Sequence, residues 1–461
     1  MDLVEANGQR NQHRSLGEYL EKHWFGERPA GVNQDQSLRE AGASLATGPH
    51  GIIRLRTVHS ELSRSFEVAV IEDLLDPHMP LLADLLSGRR ALLVTTPTVA
   101  KYYRSRLEQY INGYGLDVSI MVLKCRERSK NLGLVARVCQ DAMERRIGRR
   151  GLLIGMGGGV CTDIVTMAAS WIRRGISHVR IPTTLVGQID AGIGIKGAVN
   201  FRGKKSYLGC FYQPEAVLID PAFLATVPKR LLKSGIAEMI KIALVKDAEL
   251  FELSEAHASE FISSGFARPQ NEARHALWLA IVRMLDELET NFYENKTYKR
   301  LVDFGHTFSP ALEAASQFRI SHGEAVAIDM ALSATLACEL GLLPETTLER
   351  ILASIAFVGL PISSRSLEPA LCRAALEEAA RHRGGAPNLV LPTAIGEATF
   401  LECLEDLQTT TLHKAIRSLS QRSNDGRQGS VLRLFQQETE CCPREGQTIT
   451  IPSPESQQQP T

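Results

Sequence analysis

The most apolar run of the chain, residues 151–172, constrains its fold more than any other feature, because of what interrupts it. It contains five glycines and Asp163, and Arg173 and Arg174 follow at once. A membrane-spanning helix needs about 20 predominantly apolar residues, and a glycine cluster with a carboxylate defeats that reading. The pattern fits a buried strand over 151–156, a turn at Gly157-Gly158-Gly159, and an apolar helix. A strand apolar on both faces belongs in a parallel sheet covered by helices. Glycines at such a turn let backbone N–H groups approach a pyrophosphate, while the helix dipole favours its charge. The same glycines also suit a tight turn that needs only positive φ.

The neighbouring segments extend the pattern. Residues 91–95, 118–123 and 179–181 are short apolar strands, 99–113 and 132–147 carry helical periodicity, and 52–70 suggests an opening strand or hairpin. Strands alternating with helices imply α/β architecture with a parallel sheet. Beyond residue 221 the chain turns mostly α-helical, with helical patterns over 229–256, 272–289, 322–342, 346–357 and 368–381. A chain of 461 residues exceeds one ordinary domain. The expected division is a flexible segment 1–50, an α/β domain 51–225, a helical domain 226–417, and a Gln-, Ser- and Pro-rich disordered tail 418–461.

Composition excludes several functions. The 52 basic and 52 acidic residues balance, which argues against nucleic acid or a membrane surface as partner. Nine cysteines without CxxC spacing, an odd number, argue against a disulfide framework and for a reducing cytoplasm. Residues 1–51 lack an apolar signal core.

Chemistry-bearing residues gather at the predicted strand ends. Glu127 and Lys130 follow one strand, and Thr183 and Thr184 follow another, where parallel-sheet ligands bind. An acid for the adenine ribose is missing from Thr95-Thr96-Pro97-Thr98. Asp190 and Lys196 bracket a glycine-rich bend, with Lys204, Lys205 and Ser206 close behind. These cations suit a phosphorylated substrate, or a solvated loop. Ser234 reads as a helix N-cap. Glu238 and Lys241, three apart, share a helix face and pair readily at a surface. Their neighbours Ile236, Met239, Ile240 and Ile242 are apolar, however, and a carboxylate buried among them needs a cation. His306 and His322 each adjoin a glycine. With Glu238 they form a two-histidine, one-carboxylate set of a kind that binds transition metals.

The ordered motifs resemble one family. They are Gly157-Gly158-Gly159-Val160 with Asp163, Arg174-Gly175, Pro182-Thr183-Thr184-Leu185, Asp190 through Lys196, Ser234-Gly235 with Ala237-Glu238 and Lys241, Gly305-His306-Thr307, and His322-Gly323-Glu324-Ala325-Val326. Together they resemble the sugar phosphate cyclases, the 3-dehydroquinate synthase superfamily, over roughly residues 52–403. The resemblance implies an N-terminal NAD-binding domain, a helical metal-binding domain, an active site between them, and a homodimer. It implies Glu238, His306 and His322 as ligands of zinc or cobalt. It also implies an NAD site of Glu127, Lys130, Gly158, Gly159, Val160, Cys161, Thr162, Asp163, Thr183, Thr184, Lys196, Lys205, Phe223, Leu224, Ala225 and Thr226. Asp190, Lys196, Lys241 and Arg174 would hold substrate hydroxyls and phosphate.

Departures from the dehydroquinate synthase pattern bear on the substrate. Asp303 stands where that pattern has asparagine, Pro310 where it has a second histidine, Met284 where it has lysine, and Ser206 where it has asparagine. Fewer cations and one more acid suit a carboxylated substrate poorly. The run from Asp303 to Pro310 is similar to the branch that cyclises sedoheptulose 7-phosphate, with 2-epi-5-epi-valiolone as the implied product. The implied reaction is lyase-type: transient oxidation by NAD, loss of phosphate, re-reduction and aldol closure. His382 is a further expected active-site contributor, or else part of an exposed basic loop. Desmethyl-4-deoxygadusol synthase, 3-dehydroquinate synthase and a metal-dependent alcohol dehydrogenase stand as alternatives.

Overall fold

The computed structural model describes residues 44–48, 51–55 and 65–426. The first two segments, β1 (Ser44–Gly48) and β2 (Gly51–Leu55), form an antiparallel hairpin with Ser44 opposite Leu55. The opening strand or hairpin expected over 52–70 is therefore a hairpin that begins at 44, followed by a separate strand β3 (Glu67–Val70). Most of the segment and tail expected at the two ends lies outside the described residues.

The rest of the α/β half runs α1 (Leu81–Leu86), β4 (Ala91–Thr95), α2 (Pro97–Gly113), β5 (Val118–Val122), α3 (Leu132–Glu144), β6 (Leu152–Gly157), α4 (Gly159–Trp171) and β7 (Ser177–Pro182). A hairpin of β8 (Lys196–Phe201) and β9 (Lys204–Phe211) follows, then β10 (Ala216–Ile219). Six of these strands form an all-parallel sheet in the order β3-β10-β7-β6-β4-β5. Side chains alternate between its two faces. Leu93, Ile154 and Met156 pack with Val99, Tyr103 and Leu107 of α2, whereas Leu92, Val94 and Leu153 pack with Val135 of α3 and Ile164 and Val165 of α4. Burial on both faces explains why β4 and β6 read as unbroken apolar runs.

The strand order creates a switch point. From β4 the chain moves outward to β5, then returns to place β6 on the opposite side of β4. Loops leaving β4 and β6 therefore diverge, and the gap between them at the carboxyl ends is where open α/β sheets bind ligands.

The helical half comprises α5 (Lys229–Lys246), α6 (Ala248–Ser264), α7 (Gln270–Thr290), α8 (Ser309–Ala315), α9 (His322–Glu339), α10 (Glu345–Phe357), α11 (Pro369–His382), the hairpin β11 (Leu389–Ala394)–β12 (Glu397–Leu401), and α12 (Thr409–Gly426). Three expectations change. The helix expected over 229–256 is two helices, because Asp247 leaves helical geometry and its carboxylate caps Leu250 N at 3.0 Å. Ser234 is no N-cap: it lies inside α5, its hydroxyl donating to Arg230 O at 3.3 Å. Residues 418–426, expected in the disordered tail, continue α12. Among the described residues no helix is long and apolar enough to cross a membrane.

Helices α5 and α9 are buried nearly all round. Their apolar side chains share one core with Leu185, Ile189, Val217 and Ile219 of the α/β half. Each fully buried Ile or Leu there contributes about 1.5–3 kcal/mol. The two helices meet where Gly323 faces Ser234: a Cβ on Gly323 would lie 2.3 Å from Ser234 Cα. This close approach brings the first turn of α9, with His322, against the middle of α5.

Gly323→Ala should force these helices apart and cost roughly 1–3 kcal/mol by overpacking. Gly113→Ala, at a helical position with open space around it, should leave the melting temperature unchanged or slightly raised. Thermal melts of both variants check this, and a Gly323→Ala protein as stable as the parent would refute the packing argument.

Candidate active site

The carboxyl-end loops of the sheet and the helical half enclose a cavity of ≈ 1320 Å³. A pocket for one small ligand measures about 300–1,000 Å³, so this one has room for more than a single small ligand.

One end of the cavity is the glycine turn. Helix α4 begins at Gly159 without a side-chain cap, which leaves backbone donors free for an anion. Thr183 N donates to Gly157 O at 2.9 Å, tying the turn to the end of β7. A Cβ on Gly158 would crowd Thr184 at 3.1 Å. Lys130 is buried and ion-paired with Asp163; burial nonetheless pushes the Asp163 carboxyl up. Asn200 of β8 donates from Nδ2 to both Glu127 O and Glu127 Oε1 at 2.9 Å, and from its N–H to Lys130 O at 2.8 Å. The hairpin thereby holds the loop after β5 in place.

At the other end, Glu238, His306 and His322 present ligand atoms that all lie within 4.8 Å of one another. Glu238 Oε1 is 3.0 Å from His322 Nε2 and 3.8 Å from His306 Nε2. Gly305, at φ +73°, makes the bend that presents His306. His306 Nδ1 lies 3.1 Å from Phe304 O, and His322 Nδ1 lies 2.9 Å from Glu313 Oε1. These acceptors hold the Nδ1 protons and leave both Nε2 atoms to face Glu238. Glu313 is itself buried and receives Lys205 Nζ at 2.8 and 2.9 Å.

The electrostatics call for a cation. Glu238 is fully buried, and neither of its oxygens has an aligned hydrogen-bond partner, although Lys241 Nζ stands 2.7 Å from Oε2. Burial opposes its charge, but Lys241, His306 and His322 outweigh that and hold its carboxyl well below the usual range. Burial pushes His306 down to about 4. Burial also lowers His322, but its close approach to Glu238 and its bond to Glu313 prevail and push it up to about 9. A divalent ion would displace the His322 proton and satisfy the orphaned carboxylate; the donor set fits one.

Charged groups surround this set. Lys241, also buried, bridges Glu238 and Asp190, the latter at 2.9 Å; burial would lower its pKa, but the two acids raise it. Lys196 opens onto the cavity, yet enclosure by protein pushes its amine down to about 8. Asp303 lies between Arg300, at 3.6 Å, and Arg383, at 3.5 Å. The acid expected to make the pocket less positive is therefore offset by two guanidinium groups.

The cavity wall brings together Glu127, Lys130, Gly158, Gly159, Val160, Cys161, Asp163, Thr183, Thr184, Asp190, Lys196, Lys205, Ser206, Thr226, Lys241, Met284, Asp303, His306 and His322. Other expected residues fall outside it. Thr162 turns its hydroxyl back to Gly159 O at 3.0 Å. Phe223 and Leu224 are core residues and Ala225 faces outward. Arg174 is exposed at φ +68°, beyond the C-terminus of α4 and so at the opposite edge of the sheet. His382 is exposed and bonded to Glu378 at 2.9 Å; its neighbour Arg383 is the one that turns inward. Pro310, the second residue of α8, faces solvent. Glu313, Arg300, Asn200 and Arg383 escaped sequence reasoning. Only Arg383 left a signal, as part of the basic turn after α11.

Comparison with known proteins follows the same outline. Residues 120–234 match the N-terminal 3-dehydroquinate synthase family model and residues 235–381 the C-terminal one. The 2-epi-5-epi-valiolone synthase of Streptomyces hygroscopicus subsp. jinggangensis (strain 5008) is 43% identical over 368 residues, 78% of this chain and 88% of that protein. A 3-dehydroquinate synthase of Synechococcus sp. is 35% identical over 73% of this chain and 91% of its own length. The solved structure of the Streptomyces enzyme, with NAD+ and Zn2+ bound, superposes with a TM-score of 0.76 at 41% identity, covering 79% of this chain and 99% of that one.

Beneath the histidine loop, buried Asp329 accepts Phe308 N at 2.5 Å and Ser309 N at 2.8 Å, and burial pushes its carboxyl up to about 6. Asp329→Ala should leave two buried donors unsatisfied, cost about 2–4 kcal/mol, and loosen the segment carrying His306. A shift in urea midpoint measures the loss, and an unchanged midpoint would show that Asp329 does not hold the loop.

Proposed function

This chain belongs to the 3-dehydroquinate synthase family of sugar phosphate cyclases, and on that premise we propose that it cyclises sedoheptulose 7-phosphate to 2-epi-5-epi-valiolone with loss of phosphate. The carrying observation is the buried carboxylate of Glu238 behind His306 and His322, which line the same cavity as the uncapped glycine turn. The identity shared with the Streptomyces synthase supports the choice of substrate.

In this reading Glu238, His306 and His322 hold one zinc or cobalt ion. Glu127, Lys130, Gly158, Gly159, Asp163, Thr183 and Thr184 hold NAD. When bound, NAD supplies a reversible hydride acceptor and the divalent ion supplies Lewis acidity. The chain's own groups do the remaining work. Lys241, kept protonated between Asp190 and Glu238, donates to substrate oxygens on which negative charge develops. Asp190 accepts from a substrate hydroxyl and orients it. Lys196, at the cavity wall, donates to substrate oxygens. Asp303, steadied by Arg300 and Arg383, accepts from a neutral polyol rather than binding an anion.

The same reading carries a lyase-type net reaction, a homodimer, a cytoplasmic location, and a division into a NAD-binding domain over 51–225 and a metal- and substrate-binding domain over 226–417. Sedimentation measures the assembly.

Incubation with sedoheptulose 7-phosphate, NAD and a divalent metal should release phosphate while the NADH absorbance band stays flat. Mass spectrometry and NMR should identify 2-epi-5-epi-valiolone. Stoichiometric NADH, a deoxygadusol product, or preferred turnover of the carboxylated dehydroquinate precursor would each replace this assignment. Glu238→Ala and His322→Ala should abolish phosphate release with cooperative melting retained; unchanged turnover would remove the metal assignment. Chelation should abolish activity, and added zinc or cobalt should restore it.

A further inference from the structure

Glu294 lies outside every motif and does not line the cavity, yet both of its ionic partners do. Its carboxylate is ion-paired with the Lys196 amine and with the Arg300 guanidinium. It projects from the connection after α7, at φ +51°, a conformation unusual for a side-chain-bearing residue. That backbone is anchored: Glu294 N donates to Asn291 O at 3.0 Å, and Asn291 Nδ2 donates to Thr297 O at 2.7 Å. The Tyr293 ring packs edge-on against Phe211 of β9, with centroids 5.9 Å apart. The loop is thus built to hold a carboxylate behind two cavity cations.

The consequence is electrostatic. Lys196 and Arg300 together would attract an anionic substituent on whatever occupies this wall. With Glu294 behind both, and Asp303 shared between Arg300 and Arg383, much of their charge is already matched. An entering carboxylate would gain less and would meet repulsion from Glu294. A hydroxyl loses nothing, since the ammonium and guanidinium keep N–H groups to donate.

We propose that Glu294 is a specificity-determining residue. It supplies from the protein the negative charge that Lys196 and Arg300 would otherwise draw from the substrate, so the wall favours the uncharged, hydroxyl-bearing end of a sugar phosphate over a sugar-acid phosphate. This inference rests on the cyclase reading above.

The test uses the full-length enzyme with NAD and zinc, following product formation from sedoheptulose 7-phosphate with a 3-deoxyheptulosonate 7-phosphate or inorganic phosphate as competitor. Glu294→Gln, which removes the charge and keeps the shape, should lower the inhibition constant of the sugar acid at least tenfold and change that of inorganic phosphate less than twofold. Arg300→Gln, which removes one of the two cations and leaves Glu294 paired with Lys196 alone, should move the sugar-acid constant the opposite way and serves where Glu294→Gln does not fold. Unmoved constants in variants that still bind NAD would overturn the proposal. An equal gain for inorganic phosphate would overturn it too, because the seat would then be one for phosphate. Absence of product with the unmodified enzyme would instead sink the cyclase reading itself.

Discussion

A fully buried carboxylate without an aligned donor is the constraint around which this molecule is organised. Glu238 lies in the interior of a helix whose neighbouring side chains are almost all buried. Alone there, it would carry a large desolvation cost. Lys241 offsets part of that cost, and His306 and His322 approach from two other segments to complete the surroundings. The arrangement is most stable with a positive ion at its centre, and this is what gives the cavity its chemical character.

The positions of those partners trace back to packing. Gly323 permits the contact between α9 and α5 that places His322 over Glu238. Asp329, one helical face further along α9, holds the start of α8 through two backbone N–H groups. Glu313 on α8 then reaches back to His322 and Lys205. Each link is short, so the site acquires its geometry from three helices that share a core with the sheet. The switch point of the sheet brings the glycine turn to the same cavity by a separate route.

Much of this was legible in the chain. The apolar strands and Gly157-Gly158-Gly159 predicted a parallel sheet, and the structure has one with that turn at its carboxyl edge. Glu238, His306 and His322 stood out because a carboxylate among isoleucines and two glycine-flanked histidines are chemically unusual. Arg174 and His382 lie away from this cavity, for a common reason: adjacency to a motif says nothing about direction. Arg174 follows the glycine-turn helix but sits at its far end. His382 faces solvent while Arg383, one residue on, turns to Asp303.

The sequence by itself determined the layered α/β and helical plan, the anion-binding turn and the residue types of the cation set, because period, glycine placement and buried charge are local properties. Only the tertiary structure decided which charges meet. Glu313 with His322, Asn200 with Glu127, and Glu294 with Lys196 are pairs drawn from different elements. Most carry no signature in their own neighbourhood, since an acid on a loop looks the same whether it faces water or stands behind the cations of an active site.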